Sequence, residues 1–105
     1  MDRQPPAEVR RFVAAVRARI PLERAILFGS RAREDALETS DYDLILVSPA
    51  FEGRPFYERP PPLLLLWERA EDLDLLCYTP EEFEQKRQGL NVVGSAAKEG
   101  IEVAA

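Results

Sequence analysis

The stretch RAILFGSRAREDALETSDYDLILV, residues 24–47, decides the fold of this 105-residue chain. Arg24–Phe28 is a short apolar run, and Gly29-Ser30 follow it directly. The next eight residues, RAREDALE, are good helix formers, so this part predicts a strand, a tight turn and a helix with Ser30 at its N-cap. Asp41–Val47 predicts a second strand, because its latter part is apolar at successive positions, as in strands covered on both faces.

The flanking segments predict further helices and strands. Apolar residues repeat with helical spacing over residues 7–20, and Pro21 is expected to end that helix. The run Thr79-Pro80-Glu81-Glu82 has the composition of a capping box with proline at the first helical position. The remaining predicted features are a helix end at Thr39-Ser40, a proline-rich loop over 49–62, a short helix over Leu63–Ala70, a strand over Leu73–Tyr78, a helix over 90–99 closed by Gly100, and an edge strand over Ile101–Val103.

The alternation of helices and strands is typical of an α/β fold. We therefore predict a small mixed β-sheet of at least three strands with helices packed on it. A length of 105 residues suits one hydrophobic core, and the chain shows no internal repeat. Residues 1–105 are therefore expected to form a single domain.

Two residue types that often carry chemistry are scarce. The chain has no His, which excludes a Ser-His-Asp triad, a His general base and a His metal ligand. It has one Cys, Cys77, which excludes an intrachain disulfide and a zinc site built from cysteines. Any metal must then accept oxygen ligands, as Mg²⁺, Mn²⁺ and Ca²⁺ do.

The charge is unevenly placed along the chain. Residues 1–33 hold eight Arg against three acids, residues 34–105 hold six bases against sixteen acids, and the net charge is −5. An acidic chain without a basic stripe is poorly suited to binding duplex DNA or RNA. The longest apolar run, Leu63–Trp67, is far shorter than a membrane span, and the N-terminus lacks a signal-peptide pattern, so we expect a cytoplasmic protein.

A candidate site combines the Gly29-Ser30 turn with two aspartates. Asp41 and Asp43 are two residues apart at the start of a strand, so both side chains point to one face and repel each other unless a cation lies between them. Glycine lets a ligand approach the backbone, and a helix N-terminus favours phosphate. The alternative is a ligand-free Gly-Ser cap beside two solvated carboxylates.

A third carboxylate, Asp74, lies among leucines of the third predicted strand, so we expect it to be partly buried. Its alternative role is an ion pair with one of the many arginines, and Glu71 and Asp72 compete for its place at the site. Three aspartates at adjacent strand ends would form an oxygen-rich site for two cations and a nucleoside triphosphate.

These residues together resemble a known superfamily. Gly29-Ser30, ten further residues and Asp41-Tyr42-Asp43 reproduce the G-S-x(10)-D-x-D signature of the nucleotidyltransferases related to DNA polymerase β. The strings GSRAR…SDYDLILV, LDLLCYTPEEF and AAKEGIEV resemble the minimal nucleotidyltransferase (MNT) proteins of prokaryotes. The resemblance runs from Arg24 to Val103 and implies the polymerase β-like nucleotidyltransferase fold.

The resemblance also implies roles for the motif residues. Gly29 and Ser30 would bind the β and γ phosphates of ATP. Asp41 and Asp43 would bridge two Mg²⁺ ions. Asp74 would bind the second ion and help deprotonate the acceptor hydroxyl.

Roles are less sharply implied for the residues around these motifs. Arg31 and Arg33 would contact phosphate or a partner, and the alternative is that they are solvated helix residues. Tyr42 is expected to pack on the opposite face rather than to stack on a nucleotide. Glu34-Asp35 departs from the family, which often has Gly there, and makes the field near the phosphate turn less favourable to a triphosphate.

The family resemblance implies a protein partner. MNT proteins are often paired with a HEPN-domain protein, as the antitoxin to an RNase toxin, and some transfer AMP from ATP to a tyrosine of that partner. We therefore expect a Mg²⁺-dependent nucleotidyltransferase whose acceptor is a hydroxyl of a partner protein. The alternatives are an MNT-fold antitoxin that neutralises its toxin by contact alone, and transfer to a small molecule as in aminoglycoside-modifying relatives.

The apolar run Leu63–Trp67 allows two interpretations. The first is a helix buried in the core, since clustered apolar residues are usually inside. The second is a surface for a homo-oligomer or for the partner, because five large apolar residues in a row cannot all face inward from one helix.

Overall fold

The computed structural model describes residues 4–33 and 41–103. Its strands are β1 (Arg24–Phe28), β2 (Tyr42–Val47), β3 (Leu73–Tyr78) and β4 (Ile101–Glu102). Its helices are α1 (Ala7–Arg17), α2 (Ser30–Arg33), α3 (Pro60–Leu64), α4 (Pro80–Lys86) and α5 (Val92–Glu99). The predicted continuation of α2 through Glu38 and its end at Thr39-Ser40 lie outside the described residues, as does Glu34-Asp35.

The strands form a mixed sheet in the order β3-β2-β1-β4. β1 is antiparallel to both of its neighbours, whereas β2 and β3 are parallel. An ion pair between Arg24 of β1 and Glu102 ties the short edge strand β4 to the sheet. The prediction of a small mixed sheet with helices packed on it is thus confirmed.

The sheet is covered on both faces, as the apolar run of β2 predicts. Alternate β2 residues point to opposite sides. Leu44 and Leu46 pack with α1 and with Phe51 and Leu63 in one core cluster. Ile45 and Val47 face the other cluster, which includes Phe83 of α4 and Val93 and Ala96 of α5.

The helix ends show where local sequence signals hold and where they fail. Thr79 caps α4 with the predicted box, since its hydroxyl accepts from the Glu82 backbone N–H while Glu82 accepts from the Thr79 backbone N–H. α1 was expected to continue to Ile20 but ends at Arg17, because the N–H groups of both Arg19 and Ile20 turn back to the carbonyl of Val16.

The proline-rich stretch 49–62 is more ordered than a loop. It contains two short 3₁₀ helices, Pro49–Phe51 and Phe56–Glu58, and its last three prolines open α3. The predicted helix over Leu63–Ala70 is therefore wrong in its bounds, because prolines fit the first turn of a helix, where no N–H partner is needed.

The apolar run that follows the prolines is divided between core and surface. Leu63 is buried and Trp67 is partly buried, whereas Leu65 is 84% exposed. The core interpretation therefore holds for Leu63 and in part for Trp67 but not for Leu65, and the role of this run as a contact surface stays a prediction. No helix within residues 4–33 and 41–103 has the length and apolar character needed to cross a membrane.

Candidate active site

Strand pairing brings the two predicted motifs to the same edge of the sheet. In the antiparallel pair β1–β2, Phe28 lies opposite Asp43, so the Gly29 turn leaves the sheet where Asp43 enters it. In the parallel pair β2–β3, Asp43 lies opposite Asp74. Because paired positions in a sheet point to the same face, the Asp43 and Asp74 side chains share one side.

Gly29 is required at the turn for two physical reasons. Its φ of +76° lies in the left-handed region, which strains any residue that carries a Cβ. A Cβ built on Gly29 would lie 2.5 Å from Oδ2 of Asp43, so the absence of a side chain lets the carboxylate approach the backbone.

The position of Ser30 differs from its prediction. It is the first residue of α2 rather than its N-cap, and the Gly29 carbonyl accepts the N–H groups of Ala32 and Arg33 at 3.1 and 3.2 Å. The glycine, with its positive φ, takes the flanking position that the sequence pattern assigned to the serine.

The Asp43 carboxyl group lies in an electrostatically unfavourable place. Burial raises its pKa from 3.8 to about 6, with further contributions from the charge of Asp74, a hydrogen bond with the Asp74 carboxyl group, and the charge of Asp41. Asp74 itself is exposed, so the expectation that it is partly buried is wrong. β3 is an edge strand, and its Asp74 face is left uncovered at this end of the sheet.

Of the three carboxylates predicted to form a cluster, the structure pairs Asp43 with Asp74 and leaves Asp41 apart. Asp41 is exposed, precedes β2 and is linked to Asp43 only through its charge. In the described part of the chain, no group of three or more His, Cys, Asp or Glu is arranged to hold a metal ion.

The Asp43–Asp74 pair nevertheless fits a divalent cation. Both donors are oxygens, their mutual repulsion would be relieved by positive charge, and Mg²⁺ commonly binds through one or two carboxylates together with water and substrate phosphates.

The two arginines that follow the turn point in different directions. Arg31 places its guanidinium over the ring of Tyr42, with Cζ 4.1 Å from the ring centroid. Tyr42 is 1% exposed and packs on the face opposite Asp43, which confirms its predicted packing role. Arg33 is exposed and lines a cleft beside Gly29. Of the two arginines, Arg33 therefore has the better position for a ligand at the turn.

The cleft beside Gly29 was not predicted from the sequence. Its volume is about 280 Å³, and it runs between the turn and α5. Residues that line it include Phe28, Gly29 and Arg33 on one side and Val92, Ser95 and Glu99 on the other. The spacing of Val92, Ser95 and Glu99 marks one face of α5, but only the packing of α5 against β1 places that face at the turn.

Comparison with known proteins agrees with this geometry. The sequence profile of the nucleotidyltransferase domain family matches residues 9–71, which is more than half of the chain. The chain belongs to the nucleotidyltransferase domain family. Members of this family generally act on nucleoside triphosphates with a divalent cation.

A solved structure supports the same assignment at the level of the fold. The nucleotidyltransferase domain resembles the crystal structure of a candidate nucleotidyltransferase from Sulfolobus solfataricus, with a TM-score of 0.59 and 28% sequence identity. The likeness covers 74% of this chain and 69% of the other. No curated protein matches the chain.

The family match also separates the site residues into two groups. The matched residues 9–71 include the Gly29 turn, Asp41 and Asp43, but they end before Asp74. Asp74 joins the site through the parallel pairing of β2 and β3.

Proposed function

We propose that this domain is a Mg²⁺-dependent nucleotidyltransferase that transfers AMP from ATP to a hydroxyl group of a partner protein. The observation that carries the proposal is the Asp43–Asp74 carboxylate pair beside a glycine turn that has no room for a side chain. When bound, divalent cations neutralise the phosphate charge and stabilise the oxygens of an in-line displacement.

The chain's own residues have distinct parts in this proposal. Asp43 and Asp74 hold the cations, and Asp41 adds negative charge at the rim. The Gly29-Ser30 turn takes the terminal phosphates. An exposed Asp74 oxygen accepts the proton of the acceptor hydroxyl, whose oxygen bonds to the α-phosphorus as pyrophosphate leaves.

The proposed acceptor and partner is a HEPN-domain protein, with this chain acting as the antitoxin of a cytoplasmic toxin–antitoxin pair. The resemblance of the motifs to MNT proteins supports this partner. The net charge of −5 disfavours a nucleic-acid acceptor. Leu65, almost fully exposed beside the partly buried Trp67, supplies apolar surface for a protein contact or for a second copy.

A melting series tests the nucleotide site. We expect Mg²⁺ and ATP to raise the melting temperature together far more than either does alone, because carboxylates and the ATP anion repel each other without the cation. The synergy should vanish in Asp43→Ala, which removes a cation ligand, and should only weaken in Asp41→Ala, which removes a charge at the rim. Glu81→Gln, which removes an exposed carboxylate from the first turn of α4, is the matched control and should keep it.

A transfer assay tests the reaction. The domain is incubated with Mg²⁺, ATP labelled at the α-phosphate, and a HEPN-domain protein encoded next to it, once the neighbouring reading frames have been inspected for one. Label should pass to the partner, and the other three nucleoside triphosphates should compete poorly. A folded domain that shows neither synergy in the melting series nor transfer of label would contradict the proposal.

A contact antitoxin is the second candidate, and one observation favours it. The described residues bring together a pair of carboxylates rather than a closed set of three. In that case the domain would bind its toxin tightly and block the RNase without any transfer of label. Inhibition that is equal with and without ATP, and that survives Asp43→Asn, would select this candidate.

A further inference from the structure

Tyr42 lies between Asp41 and Asp43 in the chain, yet its side chain points to the opposite face of the sheet. Its hydroxyl donates a hydrogen bond to Oε2 of Glu8 on α1, at 2.6 Å. This bond holds the pKa of Glu8 below its ordinary value, so Glu8 is an ionised and therefore strong acceptor. The ring is thus fixed by α1 at its far end.

One face of this buried ring contacts a residue of the phosphate turn. The Arg31 guanidinium lies over the Tyr42 ring, and the edge of the ring meets Trp67 at a centroid distance of 5.0 Å. A cation over an aromatic face is attracted by the ring quadrupole, and the attraction is stronger where water is excluded. Arg31 is the second residue of α2, two positions after Gly29.

Two neighbouring residues of β2 therefore hold the turn from opposite faces. Oδ2 of Asp43 lies where a Cβ of Gly29 would point on one face, and the Tyr42 ring lies against Arg31 on the other. The first turn of α2 is closed by the bonds from Ala32 and Arg33 to the Gly29 carbonyl, so a shift of Arg31 moves the turn as a unit.

We infer that Tyr42 is a positioning residue, which uses Glu8 to fix its ring and its ring to hold Arg31, so that the Gly29 turn stays in place to receive the triphosphate. This inference rests on the proposed function, because it assigns the residues that set nucleotide affinity at the same site. The inference also gives Glu8, in the first turn of α1, an indirect role in nucleotide binding.

Kinetics can distinguish positioning from ordinary core packing. In Tyr42→Leu we expect the KM for Mg-ATP to rise about tenfold with kcat changed less than about threefold, because the turn shifts while the carboxylates stay on their strands. Tyr42→Phe keeps the ring and should raise KM only about threefold. Glu8→Ala should match Tyr42→Phe, and the double variant should be no worse than either single one.

Phe12→Leu is the matched control. Phe12 is buried in the same cluster, lies on α1 like Glu8, and contacts Trp67 edge-to-face at 5.7 Å. It should lower the melting temperature about as much as Tyr42→Leu does but leave KM unchanged. A rise in KM that follows the loss of stability equally in Phe12→Leu and Tyr42→Leu would reduce Tyr42 to a packing residue and overturn the inference.

A second measurement does not depend on catalysis. Without nucleotide, the amides of Ala32 and Arg33 should exchange with deuterium faster in Tyr42→Leu and Glu8→Ala than in Phe12→Leu. Unchanged exchange in folded Tyr42→Leu and Glu8→Ala would overturn the inference even where transfer activity is present. If the wild-type domain has no activity but the exchange pattern appears, the proposed function fails while the positioning of the turn stands. Should Tyr42→Leu fail to fold, Tyr42→Phe and Glu8→Ala carry both tests.

Discussion

The parallel strands β2 and β3 have opposite character at their two ends. Where they begin, Asp43 and Asp74 face each other, and the charges that act on Asp43 are both negative. Where they end, Arg59 is only 6% exposed but donates to both carboxylate oxygens of Glu82, at 2.6 and 3.2 Å, and to the Cys77 carbonyl at 3.0 Å. The ion pairs found among residues 4–33 and 41–103 include none with Asp43 or Asp74, whereas the buried guanidinium of Arg59 has hydrogen-bond partners for all of its nitrogens.

Under the proposed function, the contrast separates the carboxylates that would hold a cation from residues that stabilise the fold. Glu82 also completes the capping box with Thr79, so one carboxylate joins the proline-rich stretch, β3 and α4. Such a network stabilises the fold without any ligand. Two carboxylates that lie side by side, with the pKa of one raised by the other, are typical of a site that binds a cation.

The largest expected effect is that of Asp43→Asn. Transfer activity should fall about 10³-fold or more, because the substitution removes the charge of the carboxylate that we propose as a cation ligand. The metal-free protein should melt at an equal or higher temperature, because the repulsion with Asp74 disappears. Thermal melting in a chelator together with the label assay checks both statements, and a clearly lower melting temperature would instead indicate that Asp43 belongs to a structural ion pair.

At the other end of the strands, Arg59→Ala should destabilise the domain by about 2–3 kcal/mol, because two carbonyls and Glu82 lose their donor. Arg59→Lys keeps the charge but not the forked geometry, and should lose about half as much. Urea unfolding gives both values. Nucleotide affinity of the folded fraction should not change, and a loss of affinity in Arg59→Lys would show that the two ends are coupled.

Gly29→Ala should reduce both the stability of the fold and the affinity for nucleotide. The positive φ and the contact with Asp43 should together lower the free energy of unfolding by about 1–2 kcal/mol and weaken Mg-ATP binding. In an Asp43→Ala background only the backbone strain remains, so the loss of stability should be smaller. Equal losses in the two backgrounds would mean that Gly29 and Asp43 are not in contact.

The smallest expected effect is the pH dependence of the metal-free protein. The pKa of Asp43 is raised from 3.8 to about 6, so the folded state binds this proton more tightly than the unfolded chain does. Its contribution to stability is therefore present below pH 3.8 and is lost as the pH rises through about 6. Urea unfolding at several pH values should show this slope in the wild type and a shallower one in Asp43→Asn. Identical slopes in the two proteins would mean that the pKa of Asp43 is not raised in the folded state.

Sequence signals that act over a few residues predicted the structure well. β1 and β3 have the bounds that their apolar runs predict, and the capping box of α4 forms as its four residues indicate. These features depend on short apolar runs and on side chains that form hydrogen bonds with the nearby backbone. The combination of the motif aspartates with the Gly29 turn was predicted both from the chemistry of these residues and from the family pattern, and the strand pairing places Asp43 beside the turn. The chemistry of the site stays a prediction.

Features that depend on register and layer packing were missed. The exposure of Asp74 follows from β3 being the edge strand, which no local pattern reveals. Arg59 was not singled out because its partners, Glu82 and the Cys77 carbonyl, are distant in sequence. The contact between Arg31 and Tyr42 likewise requires α2 and β2 to be docked before it can be recognised.

Cys77 lies at the Arg59 end of β3, and its thiol can be used to measure local opening of the structure there. It is the only cysteine of the chain, it is fully buried in β3, and burial raises the pKa of its thiol to about 12. A thiol that is both enclosed and protonated cannot attack an alkylating reagent, because the thiolate is the reactive form. Cys77 packs in the core cluster that contains Phe51 and Leu63, so the rate at which a reagent modifies its sulfur measures how often that cluster opens around β3. This local opening is therefore measurable without any added label.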